Sequence, residues 1–224
     1  MTTPTQKPRQ ILLCFAIAQE ARPFRRLAKQ YEDVAILVTG MGRRNADRAL
    51  RAFVTHARPA FVLNGGFAGG LNPALATGDI VIAEAANSAY LRLLDGATFR
   101  PARIVCLDRF LSTVDEKRAV FERTQADAVD MEFEAIRQVC AEEGIPCANV
   151  RIVFDAAHED LPWDFNSLMT SRMTVSYWRL AWALLKSPRR IRPLMRFVCR
   201  CSLAAQDLAA ALAEIVGHLR REPG

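Results

Sequence analysis

Short apolar runs alternate with amphipathic segments from Ile11 to Phe154, and this alternation restricts the chain to few architectures. Strands separated by single helices need crossover connections, so they pair in parallel and place helices on the faces of the sheet. The sequence therefore predicts a three-layer α/β fold around a central, mostly parallel, twisted mixed sheet. We expect strands at Ile11 to Ile17, Val34 to Val38, Ala60 to Leu63, Asp79 to Ala83, Arg103 to Leu107, Ala126 to Val129 and Cys147 to Phe154, with helices at Glu20 to Gln30, Asn45 to Ala57, Glu116 to Arg123 and Glu132 to Glu143.

The pattern becomes helical after Trp163. Pro188 and Pro193 are expected to divide this region into two or three helices, because proline removes a helical hydrogen bond. With 224 residues, 51% of them hydrophobic, the chain is long enough for one sizeable core. We therefore expect a single domain over residues 1–224, with a disordered tail at 1–9. The helical C-terminal region at 163–224 is expected to pack on the domain or to face a membrane.

The composition argues against disulfides, a metal site and export. Six cysteines occur without a CxxC pair, which favours reduced and mostly buried thiols in a cytoplasmic protein. Three scattered histidines lack the spacing of metal ligands, so we expect neither a metal nor a cofactor. The apolar run from Ile11 to Ala18 is too short to span a membrane, and no cleavage pattern follows it. We expect a cytoplasmic protein that is at most peripheral to the inner membrane.

Three carboxylates follow predicted strands, at the sheet edge where parallel α/β folds bind their ligands. Glu20 follows the first strand, Glu132 follows the strand that ends at Val129, and Asp155 ends the strand that begins at Cys147. Each has an alternative structural explanation. Carboxylates are favoured at helix starts, which suits Glu20 and Glu132, and aspartate is favoured in turns and helix caps. Their common position at one edge nevertheless favours a binding or catalytic site.

A glycine cluster, Gly65 to Gly70, follows the predicted strand that ends at Leu63. Glycines in a loop allow a ligand to approach the backbone and expose N–H groups to it. The alternative is a tight turn with close packing of strand against helix. The cluster fits neither the dinucleotide-binding GxGxxG pattern nor the P-loop pattern, so it does not indicate a dinucleotide or ATP site.

Six motifs occur in order over roughly residues 10–160. They are Ala16-Ile17-Ala18-Gln19-Glu20, Gly40-Met41-Gly42-Arg43-Arg44-Asn45-Ala46, Asn64-Gly65-Gly66-Phe67-Ala68-Gly69-Gly70-Leu71, Gly78-Asp79-Ile80-Val81, Val129-Asp130-Met131-Glu132 and Val150-Arg151-Ile152-Val153-Phe154-Asp155. In their order these motifs resemble those of the nucleoside phosphorylase superfamily, which includes the methylthioadenosine/S-adenosylhomocysteine nucleosidases. The most specific part of the resemblance is Asp130-Met131-Glu132 followed about twenty residues later by Arg151 and Asp155.

The resemblance implies a role for each carboxylate. Glu20 matches the group that activates the attacking water, and Glu132 matches the group that binds the ribose hydroxyls. Asp155 matches the general acid that protonates the purine at N7. Phe110 lies where an aromatic side chain packs on the base. The further substrate contacts that the resemblance implies are Gly66, Phe67, Ala68, Gly69, Asp130 and Met131.

Phe67 departs from the superfamily pattern, because the nucleosidases usually have a small polar residue at this position. The hopanoid-associated members, which act on adenosylhopane, also have a bulky apolar residue there. Their basic C-terminal segment resembles Leu184-Leu185-Lys186-Ser187-Pro188-Arg189-Arg190-Ile191. The resemblance thus extends to a subfamily with a lipid-like nucleoside substrate.

The resemblance implies a purine nucleosidase that uses water to release adenine, working as a homodimer. Phosphorolysis is the first alternative, and Arg22, Arg43 or Arg44 would then bind phosphate near the glycine cluster. The second alternative is a non-catalytic protein of the same fold that binds a nucleoside or acts as a membrane scaffold.

The net charge of +6 comes from the C-terminal region. Eight cations and no carboxylate lie between Arg172 and Arg200, which leaves 22 cations against 24 carboxylates elsewhere. Aromatic and cationic residues within 173–200 suit peripheral contact with an anionic membrane. Packing on the domain with a solvated basic face is the alternative. No nucleic-acid-binding motif accompanies this charge, so we expect no nucleic-acid partner.

Overall fold

Eight strands form one mixed sheet in the computed structural model, which describes residues 10–84, 99–170, 173–174 and 191–221. The strands are β1 (Ile11–Phe15), β2 (Val34–Val38), β3 (Phe61–Gly70), β4 (Ile80–Glu84), β5 (Phe99–Pro101), β6 (Ile104–Cys106), β7 (Ala128–Asp130) and β8 (Cys147–Asp155). Their order is β2-β1-β3-β8-β4-β5, with β7 joined to the end of β3 and β6 joined to β7. Only β3 with β7 and β4 with β8 are antiparallel among these pairs.

Helices cover both faces of this sheet and build two main cores. The helices are α1 (Ala18–Leu27), α2 (Arg43–Val54), α3 (Val114–Thr124), α4 (Phe133–Glu143), α5 (Phe165–Leu168) and α6 (Ile191–Arg221), with a 3-10 turn at Ala28–Gln30. Alternate residues of a strand point to opposite faces. Accordingly, Leu13 of β1 packs with the face that α1 and α6 cover, and Leu12 packs with the face that α2 and α4 cover. The predicted three-layer α/β fold is confirmed.

The glycine cluster is part of a strand, and the prediction of a loop after Leu63 was wrong. β3 continues to Gly70 because its backbone pairs with β8 from Val62 to Gly69 and with β7 at Gly69 and Gly70. Glycine has a low intrinsic strand propensity, and pairing with strands distant in sequence overrides it here. The cluster therefore lines the sheet edge as extended backbone.

β5 and the C-terminal helix differ from the sequence-based expectations. β5 is a strand in a region for which no strand was predicted. α6 runs through Pro193, its third residue as described, so this proline does not separate two helices. Pro188 and the aromatic and basic residues between 175 and 190 lie outside the described residues. No helix within the described ranges is long and apolar enough to cross a membrane.

All six cysteines are free. Burial raises the pKa of the Cys106 thiol to about 12 and that of Cys201 to about 11. In the described part of the chain, no three His, Cys, Asp or Glu side chains come together in a way that would hold a metal ion.

Candidate active site

Glu20 lies in the first turn of α1, and its carboxylate connects that helix to β3. Its Oε2 accepts a hydrogen bond from the Ile17 N–H at 3.2 Å, as carboxylates at this helical position often do. Its Oε1 accepts from the Phe67 N–H at 3.0 Å. Burial raises the pKa of Glu20, and the positive charge of Arg151 opposes this rise. The helix-start explanation and a role at the sheet edge are therefore compatible for this residue.

Glu132 precedes α4 but makes no capping hydrogen bond to that helix. Its Oε1 instead accepts from the Gly42 N–H at 2.9 Å, and its Oε2 lies 3.5 Å from Arg151 Nη2. Gly42 has a φ of +85°, a conformation that glycine adopts easily and that other residues rarely adopt. Burial raises the pKa of Glu132 to about 7, although Arg151 opposes the shift. Stabilisation of a helix start alone does not account for this side chain.

Arg151 is a fully buried cation that lies beside Glu20, Asp130 and Glu132. Its Nε and Nη2 donate to Asp130 Oδ2 at 3.2 and 2.8 Å, and Asn149 Nδ2 donates to the same oxygen at 2.9 Å. Asn64 in turn donates to Asn149 at 3.1 Å. This network fixes the guanidinium beside Glu132 and gives Asp130 a role as the partner of Arg151.

Asp155 ends β8, where its carboxylate meets a lysine from a distant helix. Its Oδ2 lies 2.5 Å from Lys117 Nζ, and Lys117 is completely buried. Burial raises the pKa of Asp155 to about 6, and the positive charge of Lys117 opposes the rise. Asp155 does not cap a helix in this arrangement. It is a buried carboxyl whose protonation changes close to neutral pH.

The predicted substrate contacts on β3 lie beside these carboxylates. Gly66 leaves space for the Arg151 guanidinium, and a Cβ on Gly69 would lie 3.6 Å from Asp155 Oδ2. Ala68 is 4% exposed, and Met131 is 8% exposed between Asp130 and Glu132. The structure thus brings the three carboxylates and the glycine cluster to one edge of the sheet.

A row of aromatic rings runs from β3 to the C-terminal helix. Phe67 stacks on Phe154 with ring centroids 5.3 Å apart, and Phe154 meets Phe197 of α6 edge-on at 5.0 Å. Phe197 contacts Phe165 at 4.8 Å, and Phe165 contacts Phe110 at 5.8 Å. Phe67 and Phe110 are the two ends of this row, so α6 joins the two aromatic residues that the sequence singled out.

Phe110 is held in place through its backbone. Its N–H donates to Asn166 Oδ1 at 2.9 Å, and its carbonyl accepts from Asn166 Nδ2 at 3.0 Å. Asn166 lies in α5, and this paired contact fixes the loop that carries Phe110 to that helix. The position suits a side chain that packs on a planar ligand, which remains a prediction.

The three arginines predicted to bind phosphate, Arg22, Arg43 and Arg44, differ in their contacts and exposure. Arg43 donates to the Cys106 carbonyl at 2.6 Å and pairs with Asp108 at 3.1 Å. Arg22 and Arg44 are exposed. Among the described residues, Arg151 and Lys117 contact the site carboxylates, and both are already paired with them. A phosphate role for Arg22, Arg43 or Arg44 stays a prediction.

Lys117 and Arg151 are the residues to which sequence reasoning assigned no role. Lys117 follows an acidic start of α3 and looks like an ordinary solvated lysine, yet none of its surface is exposed. Arg151 interrupts an apolar run from Val150 to Phe154, and that interruption is a signal of a buried charge that needs a partner. No comparable local signal marks Lys117.

Comparison with known proteins adds a second line of evidence. Residues 18–97 and 85–176, two stretches that overlap, match the family model of the phosphorylase superfamily. The 5'-methylthioadenosine/S-adenosylhomocysteine nucleosidase of Geobacillus kaustophilus is 31% identical over 174 residues, which cover 61% of this chain and 73% of that protein. The corresponding nucleosidase of Shewanella putrefaciens is 30% identical over 173 residues, covering 61% of this chain and 74% of its own length.

Solved structures of similar proteins agree with the fold. The 5'-methylthioadenosine/S-adenosylhomocysteine nucleosidase of Helicobacter pylori superimposes with a TM-score of 0.71 at 15% identity, covering 95% of this chain and 99% of its own. The futalosine hydrolase of the same organism gives a TM-score of 0.68 at 15% identity, with 94% and 98% covered. At such low identity these two structures establish a shared architecture.

Proposed function

The chain belongs to the phosphorylase superfamily, and from this premise we propose that it hydrolyses the N-glycosidic bond of an adenine nucleoside. The observation that carries the proposal is the position of three buried carboxylates at one edge of the sheet, with Glu20 and Glu132 beside the buried Arg151, and with Asp155 at the end of the same strand, β8. The relatives of about 30% identity are named as nucleosidases that act on 5'-methylthioadenosine and S-adenosylhomocysteine. The fold is shared with nucleosidases and a futalosine hydrolase.

The three carboxylates suit the three tasks of this reaction. Asp155 gives its proton to N7 while the bonding pair of the C1′–N9 bond moves into the purine. Glu132 accepts hydrogen bonds from ribose hydroxyls, which strengthen as positive charge develops on the sugar. A water molecule adds its oxygen to C1′ and gives one proton to Glu20. The products are adenine and the free sugar, and exchange with solvent returns Glu20 and Asp155 to their starting protonation states.

The protonation preferences are consistent with these roles. Burial raises the pKa of Asp155 to about 6, so an appreciable fraction of this carboxyl holds a proton near neutrality. The positive charge of Arg151 favours the ionised form of Glu20, which a base must have to accept a proton from water. Burial raises the pKa of both carboxyls, and a cation beside each one, Arg151 for Glu20 and Lys117 for Asp155, opposes the rise.

Water is favoured over phosphate as the nucleophile by the arrangement of the cations. Phosphorolysis needs a cation that is free to bind phosphate near the site. Arg151 is paired with Asp130 and Glu132, and Arg43 is paired with Asp108. The pairing of these two cations supports hydrolysis as the proposed reaction, and the exposed Arg22 and Arg44 keep phosphorolysis as the alternative to be tested.

Measurement of base release with and without phosphate tests the proposal. We expect free adenine from methylthioadenosine or a related adenine nucleoside in phosphate-free buffer, with the free sugar as the second product. A strict requirement for phosphate, with a sugar 1-phosphate as product, would establish phosphorolysis instead. Absence of base release from every nucleoside, with binding retained, would favour the non-catalytic alternative.

The aromatic row supports an apolar 5′-substituent on the substrate. Phe67 and Phe154 present stacked rings on the strands that carry the site, and neither side chain can accept a hydrogen bond there. A screen of adenosine, inosine, methylthioadenosine and adenosylhopane ranks the substituents directly. A preference for adenosine over every nucleoside with an apolar 5′-substituent would contradict this part of the proposal.

We also propose that α6 contacts an anionic membrane surface. Ile191, Met195 and Val198 are 46, 63 and 57% exposed, and their spacing puts them on one side of the helix. Arg192 and Arg196 are interspersed with them and are also largely exposed. Apolar side chains beside cations are the features of a helix that lies on a lipid surface. Homodimerisation through the same exposed stripe of α6 is the alternative, and vesicle binding and molar mass distinguish the two.

A further inference from the structure

We propose that Lys117 is a positioning residue whose ammonium group stabilises the Asp155 carboxylate that forms when the proton is transferred to the purine. This inference rests on the proposed function and extends it to a side chain 38 residues away from Asp155 in sequence. Lys117 is not expected to touch the substrate. It acts through Asp155.

The geometry places the Lys117 ammonium as a fixed partner of Asp155. Lys117 is 0% exposed, and its Nζ lies 2.5 Å from Asp155 Oδ2. The same Nζ donates to the carbonyls of Ala156 and Glu159 at 2.8 and 2.6 Å. Three acceptors therefore use the three N–H bonds of the ammonium group, and the side chain has no freedom to turn elsewhere.

A buried lysine of this kind needs an explanation beyond stability. Burial of a charge is costly, and replacement of a buried ion pair by apolar residues is often neutral or stabilising. The two carbonyls alone would be satisfied by an uncharged donor. A positive charge in this position has a specific consequence for Asp155, because it favours the ionised form of the carboxyl over the neutral form.

That consequence matches what a general acid needs. Before transfer, the protonated form of Asp155 is the form that can act as the acid, and burial favours this form by raising the pKa of Asp155. During transfer the carboxyl becomes a carboxylate in a buried site, and the Lys117 charge stabilises this product of the step. Without Lys117, Asp155 would keep its proton at higher pH but would be a weaker acid toward N7.

Two other charged groups act on Asp155 from the elements around it. Glu159, in the segment after β8, favours the neutral form, and Arg200 of α6 favours the ionised form. These two side chains pair with each other at 2.9 Å and are partly exposed. Their effects oppose one another and are screened by solvent, so Lys117 is the dominant charge in contact with Asp155.

The test is the pH profile of turnover in the full-length protein. Lys117→Gln retains a hydrogen-bond donor without the charge, and Lys117→Met removes both. In both variants we expect the loss of turnover at high pH to move upward by about one to three pH units. Turnover on the low-pH plateau should fall by roughly tenfold, since the acid is weaker. Arg118→Met, which removes an exposed charge from the neighbouring position of α3, should leave the profile in place.

A purely structural role for Lys117 predicts a different result. Stability and turnover would then fall without movement of the profile, and that outcome would overturn the proposal. In an Asp155→Asn background, Lys117→Gln should cause little further loss, because the two residues act on one step. If the losses of turnover caused by Asp155→Asn and Lys117→Gln were fully additive, that result would also contradict the proposal.

Direct titration by NMR separates this proposal from the proposed function. In the wild-type protein with carbon-13-labelled aspartate and lysine, the Lys117 side-chain signals should shift at the same pH as the Asp155 carboxyl signal, because the two groups are in contact. Lys117 signals that do not respond when Asp155 ionises would overturn the inference even if both variants fail to fold. If no nucleoside releases a base, the proposed reaction fails, whereas this titration still decides whether Lys117 and Asp155 are coupled.

Discussion

The Arg151 guanidinium occupies the space that a side chain on Gly66 would need. A Cβ on Gly66 would lie 1.9 Å from Arg151 Nη1 and 3.1 Å from Glu20 Oε1. Arg151 is anchored on Asp130 by two hydrogen bonds, so it cannot move aside without breaking a buried ion pair. The absence of a side chain at Gly66 therefore leaves the space that Arg151 occupies beside Glu20 and Glu132.

Gly66→Ala should displace Arg151 and weaken both the fold and the activity. We expect a loss of about 1–3 kcal/mol in the free energy of unfolding, as for an overpacked core. Turnover should fall at least about tenfold, because displacement of a positioning group by a fraction of an ångström is costly. Denaturant unfolding and turnover are measured against Gly217→Ala, a glycine in α6 whose Cβ would have room. Equal stability and turnover of Gly66→Ala and Gly217→Ala would disprove the steric conflict between a side chain at position 66 and Arg151.

Asp155→Asn should remove the proton donor while the size of the side chain is preserved. We expect turnover to fall by about 10²-fold or more, which is the contribution of a general acid, with nucleoside binding largely kept. Asp115→Asn in the exposed first turn of α3 is the control, since its side chain is 92% exposed. Wild-type turnover in Asp155→Asn would exclude Asp155 as the acid.

Glu132→Gln should impair recognition of the ribose hydroxyls. The amide oxygen can still accept from Gly42, but the other position then carries an N–H₂ donor in place of an acceptor. The variant should discriminate poorly between ribose and 2′-deoxyribose nucleosides, as measured by kcat/KM for each. Glu134→Gln, in the first turn of the same helix and paired with Arg137, should discriminate like wild type. An unchanged ribose preference in Glu132→Gln would leave Glu132 without this role.

Stability should depend on pH through Glu132. Its folded-state pKa of about 7 is raised above the ordinary value of 4.5, so burial favours the protonated form. The stability gained by holding that proton is fully present below about pH 4.5 and is lost as the pH rises through about 7. The loss is on the order of 3 kcal/mol. Relative to wild type, Glu132→Gln should therefore become more stable between pH 5 and about 7.5. Urea unfolding of both proteins at these two pH values measures the change in relative stability. A stability difference between variant and wild type that is the same at both pH values would contradict the prediction.

Anionic vesicles should bind the protein through the exposed stripe of α6. We expect flotation with vesicles of phosphatidylserine and phosphatidylcholine at low salt, and less binding as salt screens the arginine charges. Replacement of Met195 and Val198 by serine should weaken this binding. Leu203→Ser, which removes an equally exposed side chain from another side of the helix, should not. A change in molar mass by light scattering, without vesicle binding, would assign the stripe to a dimer contact instead.

The fold class and the three carboxylates could be predicted from sequence because their signals are local. Apolar runs and helical periodicity mark each strand and helix within a few residues of its own position. The ligand-binding edge of a parallel sheet then follows from the direction of the strands. Glu20, Glu132 and Asp155 each stand next to such a strand end, so their meeting at one edge was predictable from chain order.

Tertiary structure alone decided the partners of these carboxylates and the conformation of the glycine cluster. Lys117 reaches Asp155 from a helix that carries no local mark of burial, and Arg151 of β8 reaches Glu132, which follows β7. The segment from Gly65 to Gly70 extends as a strand because β7 and β8 supply hydrogen-bond partners from elsewhere in the chain. Burial and pairing of this kind depend on packing between distant segments, and they determine the protonation of each carboxylate and hence the chemistry that the site can perform.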